Sequence, residues 1–186
     1  MKENSLANPG PLGLAAFGMT TVLLNLHNAG FLPLTMTVLA MGLCYGGLAQ
    51  IVAGIISYKR NEVFPATAFT SYGFFWLTLV IIWYFPANEK VGAASLSAMS
   101  AYLFIWGLFT LFLFIGTRGA NFVLRFIFAT LTILFFLLAL GDYLHSPFIG
   151  KIAGYEGLVC GASAIYLAMA ELLNEKLGRV VLPIGD

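Results

Sequence analysis

Long apolar runs dominate the chain, and short polar or glycine- and proline-containing segments separate them. Six runs are long enough to cross a bilayer as helices, because a hydrocarbon core of ~30 Å needs about 20 helical residues. They fall at about 9–28, 33–57, 64–86, 95–116, 121–141 and 147–173. The runs are far too long for barrel strands, and only helices or closed barrels satisfy every backbone group in lipid. The pattern predicts an all-α membrane protein with one six-helix domain over residues 1–186.

Capping and breaking residues mark the ends of these runs. Asparagine before a helix accepts from its free N–H groups, and proline is tolerated in a first turn. On this basis, Asn8 caps the first helix with Pro9 in its first turn, and Pro33 starts the second helix. Pro65 lies in the first turn of the third helix, and Pro86 ends that helix. Gly141-Asp142 ends the fifth helix, and Pro147 starts the sixth.

Weak internal repetition accompanies this layout. The odd helices carry one bulky residue each at similar depth, in Phe17-Gly18, Tyr72-Gly73 and Leu131-Thr132. The even helices carry Gly42-Leu43, Gly107-Leu108 and Gly157-Leu158. Three consecutive helical hairpins would give a pseudo-threefold axis along the membrane normal. Gly-Leu pairs are common in spans, so chance repetition is the alternative.

The composition makes lipid the solvent for most of the chain. Of the 186 residues, 60% are hydrophobic and 9% are charged, whereas soluble domains carry about 25% charged residues. A net charge of +1 leaves no basic footprint for nucleic acid. Cys44 and Cys160 lie inside apolar runs and do not suggest a disulfide or zinc site. We expect no metal and no cofactor.

The distribution of basic residues predicts the orientation. Lys2, Lys59, Arg60, Arg118, Arg125, Lys176 and Arg179 fall on one side, and Lys90 and Lys151 fall on the other. The positive-inside rule then places both termini in the cytoplasm. The mixed charges of residues 1–4 do not resemble a cleaved signal, so we expect the first span to be retained.

Hydroxyl and amide side chains suggest a polar path through the bundle. A threonine can bond to its own helix and play no further part, but an amide in lipid needs a partner. Small residues such as Gly46 and Gly161 serve either close helix packing or a lumen wall. The candidate pore-lining residues are Thr20, Thr21, Asn25, Gln50 and Ser71.

Acidic and bulky residues complete the candidate set. Glu171 is the only acid that we expect inside a span, near the cytoplasmic end of the sixth helix, with Asn174 on its face. The two alternatives are a proton-linked role for this pair and a Glu171 side chain that simply reaches water. Phe17, Tyr72 and Leu131 would form a narrow apolar collar if they met on one axis, and such a collar blocks hydrated ions.

Several motifs resemble those of the acetate uptake transporter family. The first resembles the family signature Asn-Pro-Ala-Pro-Leu-Gly-Leu, with Asn8, Pro9, Pro11 and Gly13 matching and Gly10 replacing alanine. The resemblance extends over essentially the whole chain. The matching segments are 8–14, Phe17-Gly18-Met19-Thr20-Thr21, Asn25-Leu26-His27-Asn28, Thr70-Ser71-Tyr72-Gly73, Cys160 to Tyr166, and Val181-Leu182-Pro183-Ile184-Gly185.

The resemblance implies a hexamer whose six-helix protomers each have a central pathway. It implies acetate transport, in some members with succinate, accompanied by protons. It maps a constriction onto Phe17, Tyr72 and Leu131, and a pore-wall position onto Ala164. We therefore expect a proton-linked permease, symporter or channel for small monocarboxylates, chiefly acetate, in the bacterial inner membrane.

Other classes of protein remain open at this stage. A passive channel for neutral solutes such as urea or ammonia would also suit an uncharged collar. A membrane sensor would need a soluble domain, which the chain does not show. An enzyme would need a catalytic constellation, and no such pattern is present.

Overall fold

The computed structural model describes residues 6–85 and 92–185, and these contain six helices and no strand. The all-α fold is therefore confirmed for the described residues. The predicted helix end at Pro86 and the charges of Lys2 and Lys90 lie outside them. The helices are α1 Gly10–Asn28, α2 Met36–Lys59, α3 Val63–Tyr84, α4 Leu96–Gly116, α5 Phe122–Tyr143 and α6 Pro147–Leu177.

Short polar side chains satisfy the first backbone N–H groups of several helices. Asn121 Oδ1 accepts from the Leu124 amide at 2.8 Å, and Ser146 Oγ accepts from Ile149 ahead of α6. Before α1, Asn8 Oδ1 accepts from the Gly10 amide at 2.9 Å, although Pro9 is the residue at the cap position. Asn8 thus supplies the expected acceptor from one residue further out.

Several helix bounds differ from the approximate predicted ones by two to four residues. The second helix begins at Met36 rather than Pro33, because the chain turns through Gly30 at φ 87° and the Phe31 amide bonds back to Leu26 O. The fifth continues past residue 141 to Tyr143. The sixth continues past residue 173 to Leu177, where Gly178 ends it in the left-handed conformation.

A π-helical segment, Gly42–Ala49, interrupts α2. Its wider turn brings Gly42 and Gly46 under the indole of Trp76 on α3, where a β-carbon at Gly46 would lie 2.9 Å from Trp76 Cγ. Segments of this kind are rare and frequently occur at functional sites. Gly42, Gly46 and Gln50 follow one another at steps of four residues. This spacing is typical of a regular α-helix and does not indicate the π-helical segment.

The helices pack as a ring in which α1 lies between α2 and α6, and α5 lies between α4 and α6. The backbones of α3 and α4 meet at few places, and aromatic side chains fill the gap. Phe75 on α3 lies 5.8 Å from Tyr102 and 5.2 Å from Trp106 between ring centroids. The bundle core is consequently aromatic on this side.

Five of the described helices, α2 to α6, are long and apolar enough to cross a membrane. The remaining helix, α1, carries its polar residues inward, with Thr20 fully buried and Asn25 at 2% exposure. The polar residues of α1 thus contact protein rather than lipid.

Candidate functional site

A cavity of 240 Å³ opens at the end of the bundle where α1 begins and α6 ends. Its walls come from five helices and from the segments before α1 and α3. Only α4 contributes no residue. The lining consists of Asn8, Pro9, Gly10, Leu14, Phe17, Gln50, Glu62, Phe64, Pro65, Ala68, Phe69, Tyr72, Leu124, Ile127, Phe128, Leu131 and Glu171.

Phe17, Tyr72 and Leu131 form the floor of this cavity. Each is the lining residue farthest from the mouth on its own helix. All three are buried, and the Phe17 and Tyr72 ring centroids are 6.0 Å apart. The structure therefore brings together three side chains that the sequence placed only at similar depth. We call these three residues the collar.

Residues of α4 hold Tyr72 in place. Its hydroxyl donates to Thr110 Oγ1 at 3.0 Å, and Thr110 in turn donates to Trp106 O. The ring packs edge-on against Phe109 at 5.9 Å. The phenol oxygen is thus engaged with α4 while the ring lines the cavity. Sequence reasoning missed this support, since nothing in α4 marks Thr110 as different from other threonines.

Polar atoms without partners lie next to the collar. Gln50 lines the cavity, and its Oε1 atom is buried with no hydrogen-bond partner among the described residues. The same holds for the hydroxyl oxygens of Thr20 and Thr21, about one turn along α1 from Phe17. Buried polar atoms normally have partners, so the oxygens of these three side chains are unsatisfied within the described structure.

Asn25 is less available than the other predicted polar residues. Its Nδ2 donates to Thr21 O at 2.9 Å, and its Oδ1 accepts from Asn28 at 3.0 Å. The side chain packs directly on Gly157 of α6, so that a β-carbon there would overlap it. The position of Asn25 is that of a helix-packing residue.

Of the six predicted pore-lining residues, Gln50 lines the cavity, and the other five, Thr20, Thr21, Asn25, Ser71 and Ala164, are not part of its lining. Ser71 directly precedes Tyr72 on α3 and lines a groove on the outer face of the α2–α3 pair with Thr70 and Tyr58. A change of one residue rotates the side chain by about 100° about the helix axis, which explains why Ser71 and Tyr72 face different sides of α3. Ala164 is fully buried in α6 but is not part of the cavity lining.

The signature segment before α1 forms one side of the cavity mouth. Asn8 Nδ2 donates to Glu171 Oε2 at 3.3 Å, and both residues line the cavity. A β-carbon at Gly10 would lie 2.5 Å from the same carboxylate oxygen. Glycine at this position therefore permits the close approach of Glu171 to the start of α1.

The other two signature residues occupy different surroundings. Gly13 contacts the ring of Phe69, and a β-carbon there would lie 2.5 Å from Phe69 Cε1. Pro11 is partly exposed in the first turn of α1. Gly13 thus fixes how closely α1 approaches α3, beside the cavity.

Asn174 holds the C-terminal segment instead of joining Glu171. Its Oδ1 accepts from the amides of Val181 and Leu182 at 2.7 and 3.1 Å, and its Nδ2 donates to Leu182 O. Further along, the carbonyls of Ile184 and Gly185 accept from the first amides of α5. The motif 181–185 therefore ties α6 to α5.

Two acids of functional interest escaped the sequence analysis. Glu62 lines the mouth of the cavity and pairs with Arg60 at 2.9 Å, and Arg60 also donates to Leu6 O. Glu156 lies inside α6, so the expectation that Glu171 is the only acid within a span is wrong. Both Glu156 oxygens are buried without a partner among the described residues.

The helical bundle and its uncharged collar define a membrane transport protein. A family model described as the GPR1/FUN34/yaaH family matches residues 1–185. The chain belongs to this family, which confirms the resemblance carried by the signature. Its relatives are transporters and channels rather than enzymes.

Individual relatives support this assignment. The "Succinate-acetate/proton symporter SatP" of Escherichia coli (strain K12) is 55% identical over 100% of this chain and 99% of its own length. A solved "Structure of the bacterial acetate channel SatP" superposes with a TM-score of 0.94 at 56% identity, covering 97% of this chain and 99% of that one. The "Ammonia transport outward protein 2" of Saccharomyces cerevisiae is 31% identical over 93% of this chain and 64% of its own length.

Proposed function

We propose that this protein is an inner-membrane permease for small monocarboxylates, chiefly acetate, whose passage is linked to protons. The observation that carries the proposal is the cavity floored by Phe17, Tyr72 and Leu131. The full-length similarity to a succinate-acetate/proton symporter and to an acetate channel supports the substrate class.

Acetate has an apolar end and a polar end, and the site offers contacts for both. The collar side chains are apolar surfaces suited to a methyl group. The unpartnered oxygens of Thr20, Thr21 and Gln50 lie beside the collar. Hydroxyl groups there can donate to a carboxylate or accept from a carboxylic acid. A solute of this size would therefore exchange water for protein contacts on both sides of the collar.

The charge distribution of the cavity favours the neutral form of the substrate at the collar. Of the described residues that line the cavity, two are acids, Glu62 and Glu171, and none is lysine, arginine or histidine. An unpaired carboxylate in an apolar surrounding costs several kcal/mol. The acid, or the carboxylate together with a proton, therefore crosses the collar at lower cost than the bare anion.

The membrane arrangement follows from the same features. We infer that α1 is a sixth span, shielded from lipid by α2 and α6. Exposed apolar side chains such as Phe74, Phe112 and Ile133 would face lipid or neighbouring protomers. The family resemblance suggests a homo-hexamer, and the excess of basic residues at the cavity mouth suggests cytoplasmic termini. The pseudo-threefold relation of the three hairpins stays a prediction.

The test is radiolabelled acetate uptake into proteoliposomes made with the full chain. Uptake should increase when the external medium is acidified at constant internal pH, after subtraction of the flux into protein-free liposomes. Equal protein-dependent uptake at acidic and neutral external pH would refute proton linkage.

A passive channel for ammonia or urea is the second candidate. The yeast relative named for ammonia transport and the uncharged collar both favour it. Excess acetate should compete with labelled acetate in a permease, and a proton gradient should drive accumulation above equilibrium. Ammonia flux that is insensitive to acetate, without acetate accumulation, would favour the channel.

A further inference from the structure

Glu156 is an acid within α6 that has no role in the site described above. Both of its carboxyl oxygens are buried by this chain itself, and neither has a hydrogen-bond partner among residues 6–85 and 92–185. Keeping an unpaired carboxyl group in such surroundings is costly. An ionisable residue retained inside a membrane helix despite that cost points to a function.

The face of α6 that carries Glu156 is the face that reaches the cavity. Cys160, Ala164 and Leu167 continue the same stripe and are fully buried. The stripe ends at Glu171, which lines the cavity mouth. At 100° per residue these positions stay within about 80° of one another, and at 1.5 Å per residue the two glutamates lie about 22 Å apart along the helix.

Glu156 lies beyond the collar as seen from the cavity mouth. Cys160, one turn nearer the mouth, donates to Ile127 O at 3.7 Å, and Ile127 lines the cavity. Gly157, the next residue after Glu156, packs on Asn25 of α1, and Asn25 lies about two turns beyond Phe17. The collar thus separates a carboxyl group on its far side from the carboxyl groups at the mouth.

Glu156 has no charged neighbour on the helices that pack against α6. These are α1 and α5. In the halves of α1 and α5 that lie on the far side of the collar, the titratable groups have other partners. His27 is hydrogen-bonded to Leu32 O, and Asp142 interacts with His145. On α6 itself, Lys151 extends towards Gly30 and Tyr155 packs on Phe31. The titratable groups on the face of Glu156 are Cys160, one turn away, and Glu171, about 22 Å away. A proton on Glu156 is therefore the available means of neutralising it within the described structure.

We propose that Glu156 holds the co-transported proton on the far side of the collar, an inference that rests on the proton-linked function proposed above. One proton from the outer water neutralises the Glu156 carboxylate. It then passes to the carboxylate of the substrate, which regenerates the Glu156 anion. The neutral acid crosses the collar and releases the proton to water in the cavity. One proton and one carboxylate are moved together.

The experiment compares Glu156→Gln, Glu156→Asp and the matched control Glu175→Gln, an exposed glutamate on the same helix. Full-length variants in liposomes are assayed for acetate accumulation driven by an acidic external medium, and for acetate–acetate exchange at equal pH. E156Q should lose accumulation by about tenfold while exchange remains measurable, because glutamine resembles the protonated acid. E156D should recover part of the accumulation, and E175Q should resemble the unaltered protein in both assays.

The possible failures are distinguishable. Accumulation by E156Q equal to that of the unaltered protein would overturn the role of Glu156 and leave the proposed function standing. Loss of exchange in both E156Q and E156D would show a structural role and would also overturn it. An unaltered protein that shows no gradient-driven accumulation would refute the proton linkage on which the inference depends.

Discussion

Leu131→Ala tests whether the collar limits the size of the permeating acid. Leu131 contributes one of the three side chains of the floor and is 3% exposed. Alanine would remove three carbon atoms from the cavity floor while leaving the rings of Phe17 and Tyr72 in contact. The variant should therefore admit acids larger than acetate, such as lactate.

The expected effect on lactate follows from packing energies. Forcing extra heavy atoms into a packed site costs about 1–3 kcal/mol. At about 1.4 kcal/mol per factor of ten, relief of that cost increases lactate flux about 5- to 140-fold. Acetate already fits, so its flux should change much less.

The stability cost of the substitution should be moderate. Three carbons at about 0.8 kcal/mol each correspond to about 2.4 kcal/mol of lost apolar burial. Because Leu131 already borders open space, the enlarged void joins the existing cavity. Leu103→Ala is the matched control, since Leu103 is 5% exposed on α4, which does not line the cavity. It should destabilise the protein at least as much without admitting lactate.

The assay is uptake of labelled lactate and acetate into proteoliposomes, normalised to reconstituted protein and corrected for protein-free liposomes. Unchanged lactate flux in Leu131→Ala, with acetate still transported, would show that the narrowest point lies elsewhere. A similar gain in Leu103→Ala would attribute the effect to general loosening of the bundle. Either result would refute the assignment of the collar.

Three further substitutions test the packing around the site. Gly161→Ala should lower the melting temperature in detergent, because the new β-carbon would lie 2.8 Å from Val22 Cγ2. Its control is Gly150→Ala in the same helix, where the new β-carbon meets no atom within 4 Å and the effect should be neutral or stabilising. Equal melting temperatures of the two variants would contradict this account. Tyr72→Phe keeps the ring but loses the hydrogen bond to Thr110. Acetate flux should persist, while the free energy of unfolding falls by about 0.5–1.5 kcal/mol. Abolished flux in a folded variant would instead assign the hydroxyl a direct role. Asn174→Ala removes three hydrogen bonds to residues 181–182. Hydrogen exchange at the amides of these two residues should therefore become faster relative to exchange in α4. Unchanged protection would show that other contacts hold the segment.

Local sequence signals predicted the helices well. Apolar runs of about 20 residues must form helices in lipid, whatever their neighbours. The acceptor Asn8 and the helix-opening Pro147 act through the adjacent backbone, so they are also visible in the sequence. Pro33 failed as a start signal because the preceding turn at Gly30 displaces the first helical residue to Met36.

The direction of individual side chains was less predictable. Ser71 and Tyr72 are adjacent in a polar stretch, yet one lies on the outer groove and the other on the cavity. Asn174 has the spacing to join Glu171 but binds a backbone segment that returns from outside the helix. Glu156 lay within the predicted sixth span and was still overlooked, since one acid in an apolar run does not disturb the hydropathy pattern.

The sequence by itself thus determined the class of the protein and its helices, and it predicted the collar residues through the family resemblance. These follow from hydropathy, backbone satisfaction and a family signature, all of which are properties of short segments. The tertiary structure alone decided which side chains share the cavity, because that depends on how each helix is rotated and how closely it packs. Gly10 beside Glu171, and Thr110 behind Tyr72, are contacts between residues far apart in the chain. No local pattern encodes them, and they position the mouth and the collar of the site.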